Sequence, residues 1–242
     1  MSELPLLYHA HHQRHPEDIP FWLSLAEQTD GRILELGSGT GRVLLPLLSA
    51  GHAVLGVEND AAMTSFCADV VAVYPSAALV EADFTQLTLD DRFALIIMPC
   101  NTYSTLTEGE RQRVLRWGRE HLTPDGVFAF SMPNPAVLAE LPDVGEREFE
   151  EKFLHPELDV TVDVYSAWRR DADGVRFVWD YEYLNADKAL VVRSLTTRHM
   201  DVSTDTYLEE VRQAGFRTLE LLGDFDGTEY DLDAPYLIVL AA

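Results

Sequence analysis

Residues 33–42 read ILELGSGTGR, a short apolar run interrupted by one acid and followed by glycine at 37, 39 and 41. Apolar residues that give way to a glycine-rich turn mark a strand entering a ligand-binding loop, because glycine tolerates positive φ and lets backbone approach a ligand closely. A dinucleotide loop needs G-x-G-x-x-G; Gly37 and Gly39 fit, but position 42 is Arg42. A phosphate-binding P-loop needs a lysine followed by serine or threonine, and neither stands at the required spacing. Both pyrophosphate readings are therefore weakened, and the neighbouring segments have to identify the ligand.

Outward from this loop the chain alternates strands and helices. RILEL (32–36), AVLGV (53–57), AALVEA (77–82), FALIIMP (93–99) and VFAFSM (127–132) read as buried strands. Between them GRVLLPLLSAG, DAAMTSFCADVVAVY, with Asp60 as N-cap, and TEGERQRVLRWGREHL read as helices. This is a doubly wound α/β pattern. From about residue 146 the period becomes two: LDVTVDVYSAW, GVRFVWDYEYL and ALVVRSLTTRHM predict an antiparallel meander. A helix capped by Ser203 and the strands RTLELLGDF and PYLIVLA follow. The expected fold is a seven-stranded, mainly parallel sheet with an antiparallel last strand, carrying a β-meander insertion. The expected division is a helical N-terminal lid over 1–30, a core over 31–145 and 201–242, and an insertion over 146–200.

The 242 residues suit one large domain with an insertion. With 41 acidic against 18 basic residues the formal net charge is −23, which repels nucleic-acid backbones and acidic membranes. No apolar stretch approaches the roughly 20 residues of a membrane span, and the N-terminus lacks the features of a signal peptide, so a cytoplasmic location is expected. Cys67 and Cys100 form neither a metal-ligand spacing nor a disulfide framework. His9, His11, His12 and His15 crowd the N-terminus, but without a second ligand cluster the expectation is no metal.

Acidic residues recur at successive strand ends. Glu35 precedes the glycines; Glu58 lies 21 positions beyond Gly37, where a carboxylate reaches ribose hydroxyls. Asp83 and Phe84 follow the third strand, and MPCNTY supplies Pro99, Cys100 and Asn101 after the fourth. In this combination the chain resembles the class I S-adenosylmethionine-dependent methyltransferases, whose E/D-x-G-x-G-x-G signature is matched by Glu35, Gly37, Gly39 and Gly41. The segments HPEDIPFWLSLA and GDFDGTEYDLDAPYLIVLAA narrow the resemblance to small-molecule N- and O-methyltransferases, including enzymes that N-dimethylate amino sugars. The resemblance implies S-adenosylmethionine as cofactor and S-adenosylhomocysteine as product. It further implies cofactor contacts from Tyr8, Glu35, Gly37, Ser38, Gly39, Gly41, Arg42, Glu58, Asn59, Met63, Asp83, Phe84, Pro99, Cys100 and Asn101, and an insertion that roofs the acceptor site. SMPNP (131–135) departs from the acidic end of the fifth strand common in relatives.

Methyl transfer from a sulfonium needs alignment in a water-poor cavity more than it needs a base. Tyr8, Tyr103 and His199 are the candidate proton acceptors, and Tyr103, Trp168, Tyr181 and Arg198 the candidate acceptor-site residues. The partner is a small-molecule acceptor, and the aromatic face of the meander suggests a homodimer. Two rival readings are a non-catalytic cofactor-binding sensor or scaffold and a nicotinamide-dependent oxidoreductase.

Overall fold

A computed structural model describes residues 3–242; the first two residues of the expected lid lie outside it. In chain order the elements are α1 (Glu3–His12), α2 (Ile19–Glu27), β1 (Ile33–Leu36), α3 (Leu44–Ser49), β2 (Val54–Glu58), α4 (Ala61–Val71), β3 (Ala77–Glu81), β4 (Phe93–Met98) and α5 (Glu108–His121). They continue as β5 (Leu122–Pro133), α6 (Pro135–Glu140), β6 (Val144–Leu154), β7 (Thr161–Asp171), β8 (Gly174–Leu184), β9 (Leu190–Met200), α7 (Thr204–Gln213), β10 (Leu219–Leu222) and β11 (Tyr236–Ala241).

The main sheet has the order β10-β11-β5-β4-β1-β2-β3. Only β11 runs antiparallel to its neighbours, β5 and β10. The expected fold class is thus the observed one. β1 and β4 are buried along their whole length because helices cover both faces. One apolar layer joins Trp22, Leu25, Leu44, Leu47, Cys67 and Val71 of α2, α3 and α4 to the sheet. The other joins Val114 and Leu115 of α5, and Tyr207, Leu208 and Val211 of α7, to the opposite face. Strand order reverses beside β1, between β2 and β4, and that reversal opens a crevice at the carboxyl ends of the strands.

The second sheet is β6-β7-β8-β9, antiparallel throughout. It has one strand more than the period-two pattern predicts. β6, VGEREFEEKFL, is an edge strand with most of its residues exposed and charged, so no apolar alternation marks it. Proline and asparagine at the end of β5 also carry a structural duty. Asn134 caps α6 by accepting from the Ala136 N–H, and its amide donates to the carbonyls of Asp231, Leu232 and Ala234.

α1 lies on the inner face of the second sheet. Its Leu7 is fully buried against Phe153, Val162, Val164, Tyr181 and Tyr183. The aromatic face of β8 is therefore largely spent inside the molecule, which removes the basis for expecting it to pair two copies. Among the described residues no helix is long and apolar enough to cross a membrane.

Candidate functional site

The carboxyl ends of β1, β2 and β4 meet α1 and the inner face of β8 and β9 around a cleft of about 450 Å³. The glycine loop forms its floor. Gly37, Gly39 and Gly41 take φ values of +76°, +53° and +82°. A Cβ on Gly37 would meet the Thr102 side chain at 2.8 Å, so this glycine lets the loop pack against the turn after β4. A Cβ on Gly39 would meet no protein atom within 4 Å; the space beside it is the cleft itself.

Two buried polar atoms in this floor lack a protein partner, Glu35 Oε2 and Ser38 Oγ. Burial holds the Glu35 carboxyl well above the usual carboxylate range, opposed by nearby Arg42 and reinforced by Glu58. Buried polar groups are ordinarily hydrogen-bonded, so an unpaired carboxyl and hydroxyl beside an open glycine fit a polar ligand such as the amino-acid end of the cofactor. At the neighbouring strand end Glu58 Oε2 accepts from the Gly39 N–H at 2.8 Å, and Oε1 accepts from the Asn59 and Asp60 N–H groups at 3.0 and 2.9 Å. Three backbone donors thus fix this carboxylate in the cleft wall. Asn59, Met63 and Phe84 continue that wall.

The turn after β4 is strained. Cys100 and Asn101, neither a glycine, follow each other at φ 58° and 66°, an arrangement that persists only where the surroundings impose it. It turns both residues toward the cleft. The Asn101 carbonyl accepts from Ser104 Oγ at 2.8 Å, and Ser104 Oγ lies 2.8 Å from His199 Nδ1. The single hydroxyl proton is committed to Asn101, so Nδ1 carries the imidazole proton and donates to Ser104. The other nitrogen, Nε2, is left as a bare acceptor with no partner among the described residues, on a side chain that lines the cleft. Burial lowers the His199 pKa to about 4, so the ring is neutral at ordinary pH.

α1 closes one side. Tyr8 and His12 lie one helical turn apart with ring centroids 4.0 Å apart, and the His12 Nδ1–H donates to the Tyr8 carbonyl at 3.0 Å. Burial lowers the His12 pKa to about 3 and raises that of Tyr8. His9 Nδ1 meets Thr40 Oγ1 at 2.9 Å and fastens the helix to the glycine loop. Tyr8, His12, Arg42, Cys100 and Asn101 also border an adjoining cleft of about 590 Å³ that runs toward Ser131 and Tyr236.

Several expected site residues lie elsewhere. Asp83 caps the turn at 84–86, accepting from Thr85 and Gln86, and leaves Phe84 alone at the cleft. Tyr103 is fully buried and stacked on Phe130 at 4.0 Å, because the turn after Asn101 directs it into the core. Trp168 lies flat against Gly145 and donates to the Pro142 carbonyl. Tyr181 is buried under α1 with its hydroxyl 3.1 Å from His11 Nδ1. Arg198, on the outer face of β9, pairs with Asp171 and Asp173. Gly41 and Pro99 support the loops from behind, through the Gly41 N–H to the Ser38 carbonyl and the Pro99 carbonyl to Thr102. Arg42 reaches the cleft, but Asp18 takes two of its hydrogen bonds at 2.7 and 2.6 Å, and the His15 carbonyl and Cys100 Sγ take two more. It braces the N-terminal segment more than it offers donors to a ligand.

The cleft also contains residues that sequence reasoning did not select. His12 is the residue one turn after Tyr8, a spacing that was available as a signal. Trp179 and Thr197 enter from β8 and β9. Trp179 shares the alternation of buried Tyr181 and Tyr183, so the pattern alone assigns it to the core.

Six parallel strands and one antiparallel strand, acids at the ends of β1 and β2, and a glycine floor under an orphaned carboxyl match the fold and crevice expected from the resemblance to class I S-adenosylmethionine-dependent methyltransferases. Residues 33–126 match the family model described as a methyltransferase domain. YqeM of Bacillus subtilis (strain 168), provisionally named a methyltransferase, is 24% identical over 86% of this chain and 82% of its own length. The cypemycin N-terminal methyltransferase of Streptomyces sp is 34% identical over 48% of this chain and 47% of its own. Among solved structures, DesVI of Streptomyces venezuelae has a TM-score of 0.78 at 17% identity, covering 100% of this chain and 98% of its own. An S-adenosylmethionine-dependent methyltransferase from Clostridium acetobutylicum ATCC 824 has a TM-score of 0.82 at 13% identity, over 97% of this chain and 96% of its own.

Proposed function

We propose that the chain transfers a methyl group to an amine nitrogen of a small molecule. The observation that carries this reading is His199: a neutral imidazole whose unprotonated Nε2 is free at the cleft, beside Trp179, Leu195 and Thr197. When bound, S-adenosylmethionine supplies an electrophilic methyl on a sulfonium. The residues have to bind and orient the acceptor and keep water away. Nε2 accepts an N–H from the amine and so points the nitrogen lone pair elsewhere, toward the reacting carbon. An imidazole with a pKa near 4 is a poor base for an alcohol, whereas a neutral amine needs only this hydrogen bond. The N-methyltransferase names among similar proteins, cypemycin N-terminal, sugar and glycopeptide, support nitrogen over oxygen.

In this reading α1 and α2, within the first 30 residues, form the lid. Residues 146–200 roof the acceptor over a core of 31–145 and 201–242. Tyr8, Glu35, Ser38, Gly39 and Glu58 hold the cofactor, with Asn59, Met63, Phe84, Cys100 and Asn101 along it. All of these residues come from one chain, so the site does not require a homodimer. The charge of −23 supports an enzyme with no nucleic-acid partner.

The test is release of S-adenosylhomocysteine from S-adenosylmethionine over a panel of primary and secondary amines and matched phenols and alcohols. Turnover is expected with amines and falls at least tenfold in His199→Phe. Turnover confined to hydroxyl acceptors, or an unchanged rate in His199→Phe, refutes the reading.

A further inference from the structure

Outside the cleft, α1 and β6 bring together a second constellation of polar side chains. His11 Nε2 lies 3.3 Å and His15 Nε2 2.7 Å from the same oxygen, Glu151 Oε1. The ligand atoms of these three residues lie within 4.8 Å of one another. Glu150 Oε2 is 3.9 Å from His11 Nε2. We propose that His11, His15 and Glu151 form a binding site for a zinc-like divalent cation, with Glu150 beside it, clamping α1 to the second sheet.

Local structure explains how the ligands converge. Beyond the end of α1 the chain keeps turning, with the Arg14 N–H bonded to the His11 carbonyl and the His15 N–H to the His12 carbonyl. His15 therefore stays one turn beyond His11 on the same side. In β6 the pairing register with β7 shifts between Phe149 and Glu151. Successive residues of a regular strand face opposite ways, and this bulge lets Glu150 and Glu151 both reach toward His11.

The chemistry suits a first-row divalent cation. Two imidazole nitrogens and a carboxylate are a common zinc ligand set, with water in a fourth position. Ligands about 2.0–2.1 Å from a tetrahedral zinc are roughly 3.3 Å from each other; the His11–Glu151 separation of 3.3 Å has that spacing already, and the 2.7 Å His15–Glu151 hydrogen bond would open by about half an ångström on binding. His11 is 5% exposed, and its far nitrogen, Nδ1, is 3.1 Å from Tyr181 Oη, an outer partner of the kind that holds a ligating imidazole in place. Glu151 Oε2 is held by Arg14 Nε at 2.6 Å, which leaves Oε1 for the histidines. The acidic protein raises the local concentration of cations. A cation here would tie β6 to the helix that carries Tyr8 and His12 into the methyltransferase cleft.

The experiment is isothermal titration of tag-free, chelator-treated full-length protein with zinc chloride, repeated with cobalt(II) to record the intense visible absorption of tetrahedral coordination. One equivalent of zinc is expected to bind with micromolar or tighter affinity and to raise the melting temperature. His15→Ala is the main variant, since His15 is exposed and its loss leaves the Arg14–Glu151 pair in place. It should weaken binding at least tenfold, as should Glu151→Gln, while His52→Ala leaves binding unchanged. No saturable binding near one equivalent overturns the proposal. So does zinc affinity unaffected by His15→Ala and Glu151→Gln, which would place the metal elsewhere.

Discussion

Glu58→Gln removes one charge and one acceptor while keeping the side-chain shape. In the wild type both carboxylate oxygens are occupied by backbone N–H groups, one from Gly39 and two from Asn59 and Asp60. Glutamine matches only one side, because its NH₂ must face a backbone N–H on the other. A hydrogen bond to a charged group contributes about 1.5–3 kcal/mol, and a buried donor left unpaired costs a similar amount. The glycine loop therefore loses about 2 kcal/mol of support, and under the proposed assignment of Glu58 to the ribose, hydroxyls donating to the same carboxylate would lose a charged acceptor. By titration calorimetry, S-adenosylhomocysteine is expected to bind about 10–100-fold more weakly. Loop damage and ribose recognition are separated by a cycle with 2′,3′-dideoxyadenosine. Wild type should prefer adenosine to the dideoxy compound, and Glu58→Gln should largely lose that preference. A preference that survives the substitution refutes the assignment of Glu58 to the ribose, whatever happens to stability.

Further expectations concern the floor, the frame and the roof. Gly39→Ala places a non-glycine residue at φ +53°, costing about 1–2 kcal/mol of strain, and its methyl projects into the cleft without touching protein. Calorimetry should show S-adenosylhomocysteine affinity falling more than tenfold while the melting temperature drops by only a few degrees. Arg111 and Glu210 form a buried pair through two hydrogen bonds of 2.7 Å that join α5 to α7, and Arg111 also donates to the Leu106 carbonyl. Glu210→Ala leaves that guanidinium buried without a charged partner, and should cost about 3–5 kcal/mol in chemical denaturation. His199 titrates near 6.5 when unfolded and near 4 when folded, so the unfolded chain binds the extra proton between these values. Its contribution to stability is therefore constant above pH 6.5 and declines toward pH 4, by about 3 kcal/mol in all. His199→Gln should flatten that part of the stability profile, and an unchanged slope would disprove the shift.

The core was legible because two different periods write it. Continuous apolar runs such as FALIIM occur where helices cover both faces of a strand, and the glycine triplet with Glu35 and Glu58 marks the crevice between them. β6 carried no such mark, since an exposed edge strand is built of charges that discourage pairing and offers no buried face to read. Asp83 shows a different limit. Its position after a strand is right for a ligand, yet the same position caps a turn, and Thr85 and Gln86 lie close enough to claim the carboxylate first.

The harder losses were side-chain directions decided by tertiary packing. Tyr103 and Asn101 are two residues apart in one loop, but the left-handed pair Cys100-Asn101 turns one toward the cleft and sends the other onto Phe130. Nothing in MPCNTY specifies positive φ at two non-glycine residues; the surrounding fold imposes it. His199 required even more distant information. Its alternation with Arg198 establishes that only one of them faces inward, and the structure chooses the histidine because Arg198 finds Asp171 and Asp173 on the outside. Its tautomer depends in turn on Ser104, 95 residues away in sequence, and on the Asn101 carbonyl that claims the serine proton. The acceptor face of the ring thus depends on the same strained turn that lines the cleft. Changes at Asn101 should therefore disturb His199 as much as the cleft wall.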